Sequence, residues 1–325
     1  MRNKMLKKTL ITILFAGLMT MPMLAFAFSL PAGISGIIDM HEHFTSGGNM
    51  GLYLSLARSF GIRKTVFVAT GSAPNNSGYK TNTTAVLKQQ KKYHGKVIAF
   101  CGANTKDPGT VAIFEKCLNE GGKGLKLISG HPSFYTEPID NETTRRLFEL
   151  AESHNVPVLM HVSIYKLPKA REEFKKLLND FPNVRVQVAH YCSTIYGNSM
   201  DLALCAELLD KYPNVYVDLS MGGGMDGYMK QLLRDKRPIG DFILKYQDRL
   251  FYGNDIILTS SGTSADRKWV KARMLCDLES LTQKNFKCDI PENSNREIKI
   301  PGLELPKKAL KKIFWDNPRK FLNLP

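Results

Sequence analysis

From its amino end the chain runs through a basic start and one long apolar run, then settles into short apolar stretches separated by amphipathic ones. Stretches with strand character recur at Ile34–Met40, Lys64–Ala69, Lys96–Cys101, Gly124–Ile128, Pro157–His161, Val184–His190, Asn214–Leu219 and Arg249–Asn254, their starts 30, 32, 28, 33, 27, 30 and 35 residues apart. Between them apolar positions return with helical period, as in Thr143–Ala151 and Asp201–Leu209. Eight strand-then-helix units predict a (β/α)8 TIM barrel, a fold that typically needs about 250 residues. A doubly wound open sheet is the alternative, but no G-x-G-x-x-G follows the first strand, and Gly222-Gly223-Gly224 comes after the seventh. The pattern fails between Gln283 and Pro301, which predicts an irregular insertion after strand eight, and it resumes in a C-terminal helix from Leu305 to Leu322. No linker divides residues 28–325, which are expected to form one barrel domain.

The first 27 residues stand apart. Arg2, Lys4, Lys7 and Lys8 lead into an apolar run, Leu10 to Ala27, ending Ala25-Phe26-Ala27. That is the pattern of a secretory signal peptide with an A-x-A cleavage site, so the expectation is an exported protein, periplasmic or secreted, whose mature chain begins at Phe28. An uncleaved anchor is the alternative, because the run is just long enough to span a bilayer; nothing later in the chain is, so no membrane span is expected after cleavage.

Charge changes the picture little. The 325 residues carry a net charge of +15, which falls to +11 without the leader. The lysines are scattered, with no zinc-finger or RNP-like motif and no long basic block, which argues against nucleic acid and for a solvated surface that favours anionic ligands or membrane surfaces. The six cysteines all follow the leader, too few for a disulfide scaffold and without a C-x-x-C pair for structural zinc. Cys276 and Cys288, flanking the irregular stretch, are the best candidates for a bridge, with buried free thiols an equal alternative.

Active sites of such barrels lie at the C-terminal ends of the strands. There the chain places Asp39-Met40-His41-Glu42-His43, Lys126, His161, His190 and Asp255, whereas His94 and His154 fall on helices and read as surface residues. In a His-x-His strand segment both imidazoles share a face, a natural bidentate arrangement for a divalent transition metal. Three further groups, each from a different strand end, make a chance cluster a poor explanation. Such an ion lowers the pKa of water bound to it to about 7, and Asp255 could accept the proton while His190 polarises a carbonyl or protonates a leaving group.

Here the chain resembles the amidohydrolase superfamily, in the amidohydrolase-related branch that includes aminocarboxymuconate-semialdehyde decarboxylase-like proteins. The resemblance rests on Ile37 to His43, Gly121 to Leu127, Pro157 to His161, Val188-Ala189-His190, Tyr216 to Ser220, Leu250 to Asp255 and the closing Ile313 to Phe321. It implies one divalent ion, with zinc the favoured metal, held by His41, His43, His161 and Asp255, with His190 beside it as an acid/base or electrophilic group. Tyr191-Cys192 stand where a glycine-containing turn is more usual, and Asn254 where Ser or Thr commonly precedes the Asp.

Alternation turns Lys126 into the barrel, where it is expected to bind a substrate carboxylate or phosphate or to pair with Asp39. In binuclear relatives a lysine there is carboxylated and bridges two metals, the less favoured reading. His131 and Phe44, on loops overhanging the mouth, are expected to contact substrate; Asp218 is expected to support the ligands, and Gly222–Gly224 to form a flexible loop near the site. The sequence therefore points to an exported metal-dependent hydrolase attacking an amide, ester, lactone or related carbonyl of a small, possibly anionic molecule. Decarboxylation of a small carboxylic acid is the first alternative and a catalytically idle metal- or ligand-binding barrel the second. Association into a homo-oligomer is left open.

Overall fold

The computed structural model describes residues 28–196, 199–261 and 266–325. The expected signal peptide, residues 1–27, lies outside the described residues. The recurring apolar stretches become β1 (Ile37–Phe44), β2 (Ile62–Val68), β3 (Val97–Gly102), β4 (Gly124–Gly130), β5 (Val158–Val162), β6 (Val186–Val188), β7 (Val215–Asp218), β8 (Leu250–Phe251) and β9 (Ile257–Leu258). They pair in one sheet in the order β8-β7-β6-β5-β4-β3-β2-β1-β9, parallel throughout. Helices fill the crossovers, as a parallel sheet with both faces buried requires. The sheet curls: the stretch Leu250–Leu258 pairs with β7 at its start and β1 at its end, and Met40 N donates to Tyr252 O at 2.9 Å in between. The result is an α/β fold of the TIM-barrel kind.

Where the sequence suggests one eighth strand over Arg249–Asn254, the structure has two short ones. Asp255 between them takes a φ of 58°, a left-handed conformation that breaks the ladder.

Two apolar layers hold the fold. The larger lies between sheet and helices and includes Ile37, Phe44, Tyr53 and Phe67; the smaller fills the inside of the curl with Ile38, Met40, Val66, Val68, Phe100, Leu159 and Phe251. The C-terminal helical stretch Lys307–Phe321 forms as anticipated, with a π turn at Lys312–Asp316. Its Phe321 packs 4.9 Å from the rings of both Tyr216 and Phe251, closing the end of the barrel opposite the functional residues.

The insertion after the last strand is pinned at both ends. Asn285–Phe286 pairs antiparallel with Ile300–Pro301, and Cys276 is bonded to Cys288, the bridge expected. The free-thiol alternative is overturned: Cys101–Cys117 and Cys192–Cys205 are bridged as well, so every cysteine is paired. Among the described residues no helix is long and apolar enough to cross a membrane.

Candidate active site and metal centre

β1 supplies the first two site residues, and an irregularity in its pairing with β2 decides where they point. The register shifts between Asp39 and Glu42, so Ile38 and Met40 face the barrel interior, as do His41 and His43, whereas Asp39 and Glu42 turn outward beneath the first helix (Met50–Ser59). Tyr53 of that helix donates to Asp39 Oδ2 at 2.9 Å and to Glu42 Oε1 at 3.2 Å. Burial raises the pKa of Asp39 to about 6 and pushes that of Glu42 well above the usual carboxylate range. The suggested ion pair of Lys126 with Asp39 is therefore corrected: the bulge puts them on opposite faces.

Phe44 is corrected for the same reason. One residue beyond His43, it points away from the barrel, is 2 % exposed and packs edge-on to Phe67, so it belongs to the helix–sheet core and not to the substrate mouth.

Inside the barrel, His41 is held from behind. Its Nδ1–H donates to Asp218 Oδ2 at 3.1 Å, and because a carboxylate only accepts, the Nε2 lone pair is left facing the centre. Asp218 also accepts from Gln187 Nε2 at 2.7 Å, from the His190 backbone N–H at 3.1 Å and from the Ser220 hydroxyl. Burial alone would raise the Asp218 pKa, but His41 and His190 draw it well below the usual range. Ser220 Oγ in turn accepts from His190 Nδ1–H at 2.7 Å, so one buried carboxylate orients two imidazoles. His43 is fixed by Thr70 Oγ1, 2.8 Å from its Nδ1.

The inward nitrogens meet at Asp255. Its Oδ1 lies 3.1 Å from His43 Nε2 and 3.5 Å from His41 Nε2, its Oδ2 3.8 Å from His190 Nε2, and the Nε2 atoms of His41 and His43 are 3.2 Å apart. Burial lowers the pKa of His41 to about 3 and lowers that of His43 as well, keeping both neutral. Asp255 Oδ1 is buried with no hydrogen-bond partner among the described residues. Lone pairs converging on an unpartnered carboxylate oxygen are what a cation-binding site requires, and imidazole with carboxylate is a donor set that suits divalent transition metals. The ligand atoms of His41, His190 and Asp255 all lie within 4.8 Å of one another.

His161 is placed differently from the other histidines. Its Nε2 meets the hydroxyls of Ser193 at 3.2 Å and Ser163 at 3.4 Å, and its ring sits between those of His190, 5.0 Å away, and His131, 4.5 Å away. Burial, then His190, holds its pKa well below the ordinary value. His131, His161 and His190 line a cavity of about 540 Å³ together with Lys166 and Ser193, so His131 does reach the mouth. Lys126 points inward as alternation predicts, but its Nζ donates to His41 Nε2 at 3.0 Å and it is not among the residues lining that cavity. Burial lowers its pKa to about 8.

One backbone feature was not legible. His190, Tyr191, Cys192 and Ser193 all have positive φ, 51° to 59°, a left-handed turn that costs roughly 1–2 kcal/mol per non-glycine residue. Tyr191 packed against Tyr228 and the Cys192–Cys205 bridge hold the turn, which delivers His190 and Ser193 to the cavity. Ser220, two residues after Asp218 and so on the same side of its chain, could have been found from period two; Thr70, Ser163 and Gln187 carried no such signal.

Gly222 also belongs to the site. Its φ is +51°, and a Cβ there would lie 3.2 Å from His190 Nδ1 and 3.3 Å from Asp255 Oδ2. Gly222→Ala is expected to weaken binding of a divalent ion by about 10-fold or more while the near-UV circular dichroism stays that of the parent. Chelator competition reads the affinity, and an unchanged value would show that the loop yields freely.

A family profile described as Amidohydrolase matches residues 38–324. None of the curated proteins matches the chain in sequence. Among solved structures, a probable 2-pyrone-4,6-dicarboxylic acid hydrolase from Acinetobacter baumannii with citric acid bound is similar at a TM-score of 0.60 and 12% identity, over 89% of this chain and 100% of that one. A 2,6-dihydroxybenzoate decarboxylase from Rhizobium is similar at 0.53 and 13%, over 89% of this chain and 99% of that one. A dihydroxybenzoic acid decarboxylase from Polaromonas sp., with manganese and 2-nitroresorcinol bound, is similar at 0.55 and 13%, over 89% and 97%.

Proposed function

Because the chain belongs to the amidohydrolase family, we propose that it is a metal-dependent hydrolase acting on an amide, ester, lactone or related carbonyl of a small molecule. The observation that carries this reading is the meeting of His41, His43 and His190 nitrogens around a buried Asp255 whose Oδ1 has no hydrogen-bond partner among the described residues. We assign one ion, zinc, to His41, His43, His161 and Asp255, with His190 next to it. We also read β8 and β9 as two parts of one eighth strand, making the fold a (β/α)8 barrel of residues 28–325, exported after removal of residues 1–27.

When bound, the ion supplies Lewis acidity, polarising a carbonyl oxygen and acidifying water. The protein's own groups do the rest. Asp255 Oδ2, on the side of His190, accepts the proton of the attacking water. His190 Nε2, 3.8 Å away, holds a proton for the leaving group, while its Nδ1 stays tied to Ser220. Lys166 and the imidazole of His131 line the cavity together with Asp226, which pairs with Lys230, and Lys166 favours an anionic substituent on the His131 side.

Decarboxylation of a small carboxylic acid is the second reading, supported by Lys166 and the three imidazoles at the cavity and by decarboxylases among the similar folds. Elemental analysis of purified protein should return about one divalent ion per chain. Two ions, one of them lost in Lys126→Ala, would favour a carboxylated lysine and a binuclear site. Carbon dioxide measured alongside hydrolytic product on a carboxylate-bearing ester panel separates the two reactions, and no turnover by fully metallated protein on either would sink both.

A further inference from the structure

Arg273 lies on the helix Arg267–Thr282, away from every strand end, and is 5 % exposed. Its Nη2 donates to the carbonyl oxygens of Asn254 at 3.1 Å and Gly222 at 3.2 Å, and its Nε donates to Asp277 Oδ2 at 3.3 Å. Asn254 immediately precedes Asp255. Gly222 lies so close to His190 and Asp255 that even a Cβ would crowd both. One guanidinium thus joins the segment after β7 to the segment after β8, the two that approach the carboxylate from either side.

A buried cation is expensive to keep unless its geometry is needed, and an apolar replacement often serves stability as well. Here the ion pair is not even saturated, since Asp277 Oδ1 has no partner among the described residues. Asp255, by contrast, is a non-glycine residue at a φ of 58° and needs holding. Its own N–H donates to His41 O at 2.8 Å, and the next residue's N–H donates to Glu42 Oε2 at 2.6 Å. These contacts tie Asp255 to β1. Arg273 supplies the tie toward Gly222 and the His190 side. A planar fork with several donors suits two carbonyls and a carboxylate better than an ammonium does.

We propose that Arg273 is a positioning residue that fixes Asp255 and the Gly222 segment relative to each other, and thereby sets how tightly the site holds a divalent ion. The inference rests on the metal-site reading above. Its test is Co²⁺ titration of metal-stripped parent, Arg273→Met, Arg273→Lys and Asp277→Asn against a chromophoric chelator, with the visible ligand-field bands recorded at saturation. Arg273→Met is expected to bind Co²⁺ about 10- to 100-fold more weakly, the usual scale for a lost supporting contact, with altered bands. Arg273→Lys is expected to recover part of the loss.

Losing an ion pair that merely stabilised the fold would lower the melting temperature and leave the bands alone, so parent-like affinity and bands in Arg273→Met overturn the proposal whatever happens to melting. Should Arg273→Met fail to fold, Asp277→Asn decides: a loss of about 3-fold or more, from a guanidinium freed of its carboxylate, supports the proposal, and unchanged affinity overturns it. A parent that takes up no Co²⁺ sinks the metal-site reading and this inference with it, whereas a parent that binds beside an unaffected Arg273→Met sinks the inference alone.

Discussion

Asp255→Asn is expected to lose metal and turnover together, with metal affinity down about 10²-fold or more and turnover down about 10³-fold. The exchange is nearly isosteric, so the cause is charge. Asp255 Oδ1 is, among the described residues, the anionic atom facing the inward nitrogens of His41 and His43 at 3.5 and 3.1 Å, and those imidazoles are neutral because burial lowers their pKa. Asparagine would leave the cation without that charge, and it would remove the acceptor for the proton of the attacking water. Near-UV circular dichroism of the two stripped proteins separates this from damage to the fold. Burial opposes an ionised Asp255, and His190 and His41 draw its pKa well below the ordinary value in compensation. A carboxylate whose folded-state pKa is depressed contributes stability above the ordinary carboxylate range, so metal-free Asp255→Asn should melt somewhat lower than the metal-free parent while still folding. The measurements are metal content, turnover and the melting temperature of both stripped proteins. An Asp255→Asn protein that kept its metal and rate would remove Asp255 from the site.

The fold was legible because a buried parallel strand is a compact apolar run, and the runs here are evenly spaced. What could not be read were the places where the backbone leaves its period. On β1 the pair His41 and His43 follows strict alternation, but the register shift just before it sends Asp39 outward, which is why the suggested Lys126–Asp39 pairing was wrong. Phe44 is readable from alternation: one step beyond an inward histidine it has to point outward, even though it borders a loop. At β6 the chain turns through four residues of positive φ, none of them glycine, a conformation that local sequence disfavours and that packing of Tyr191 and the Cys192–Cys205 bridge impose from a distance. Arg273 was invisible for a different reason. It belongs to a helix and meets the site only through carbonyl oxygens, which leave no trace in residue type.

His190→Asn is the experiment that divides acid/base partner from ligand, because the geometry brings His190 nearer to Asp255 than strand order alone implies. His190 Nε2 is 3.8 Å from Asp255 Oδ2, its ring stacks on His41 at 4.9 Å, and its ligand atom lies within 4.8 Å of those of His41 and Asp255. Its Nδ1–H is committed to Ser220, so Nε2 is the free atom, able either to bind the ion or to carry a proton to and from substrate. If it carries the proton, the ion keeps its other ligands, and His190→Asn should retain about one metal per chain while turnover falls by about 10²-fold or more. Ser220→Ala serves as the graded companion: it leaves His190 in place but removes the oxygen that accepts from Nδ1–H, so turnover should drop by a smaller factor, about 10-fold, with metal content unchanged. Metal analysis and steady-state turnover of both variants, each with parent-like near-UV circular dichroism, make the comparison. Loss of the ion from His190→Asn would make His190 a ligand, and the hydroxyl-bonded His161 would then be the better candidate for the proton-carrying group.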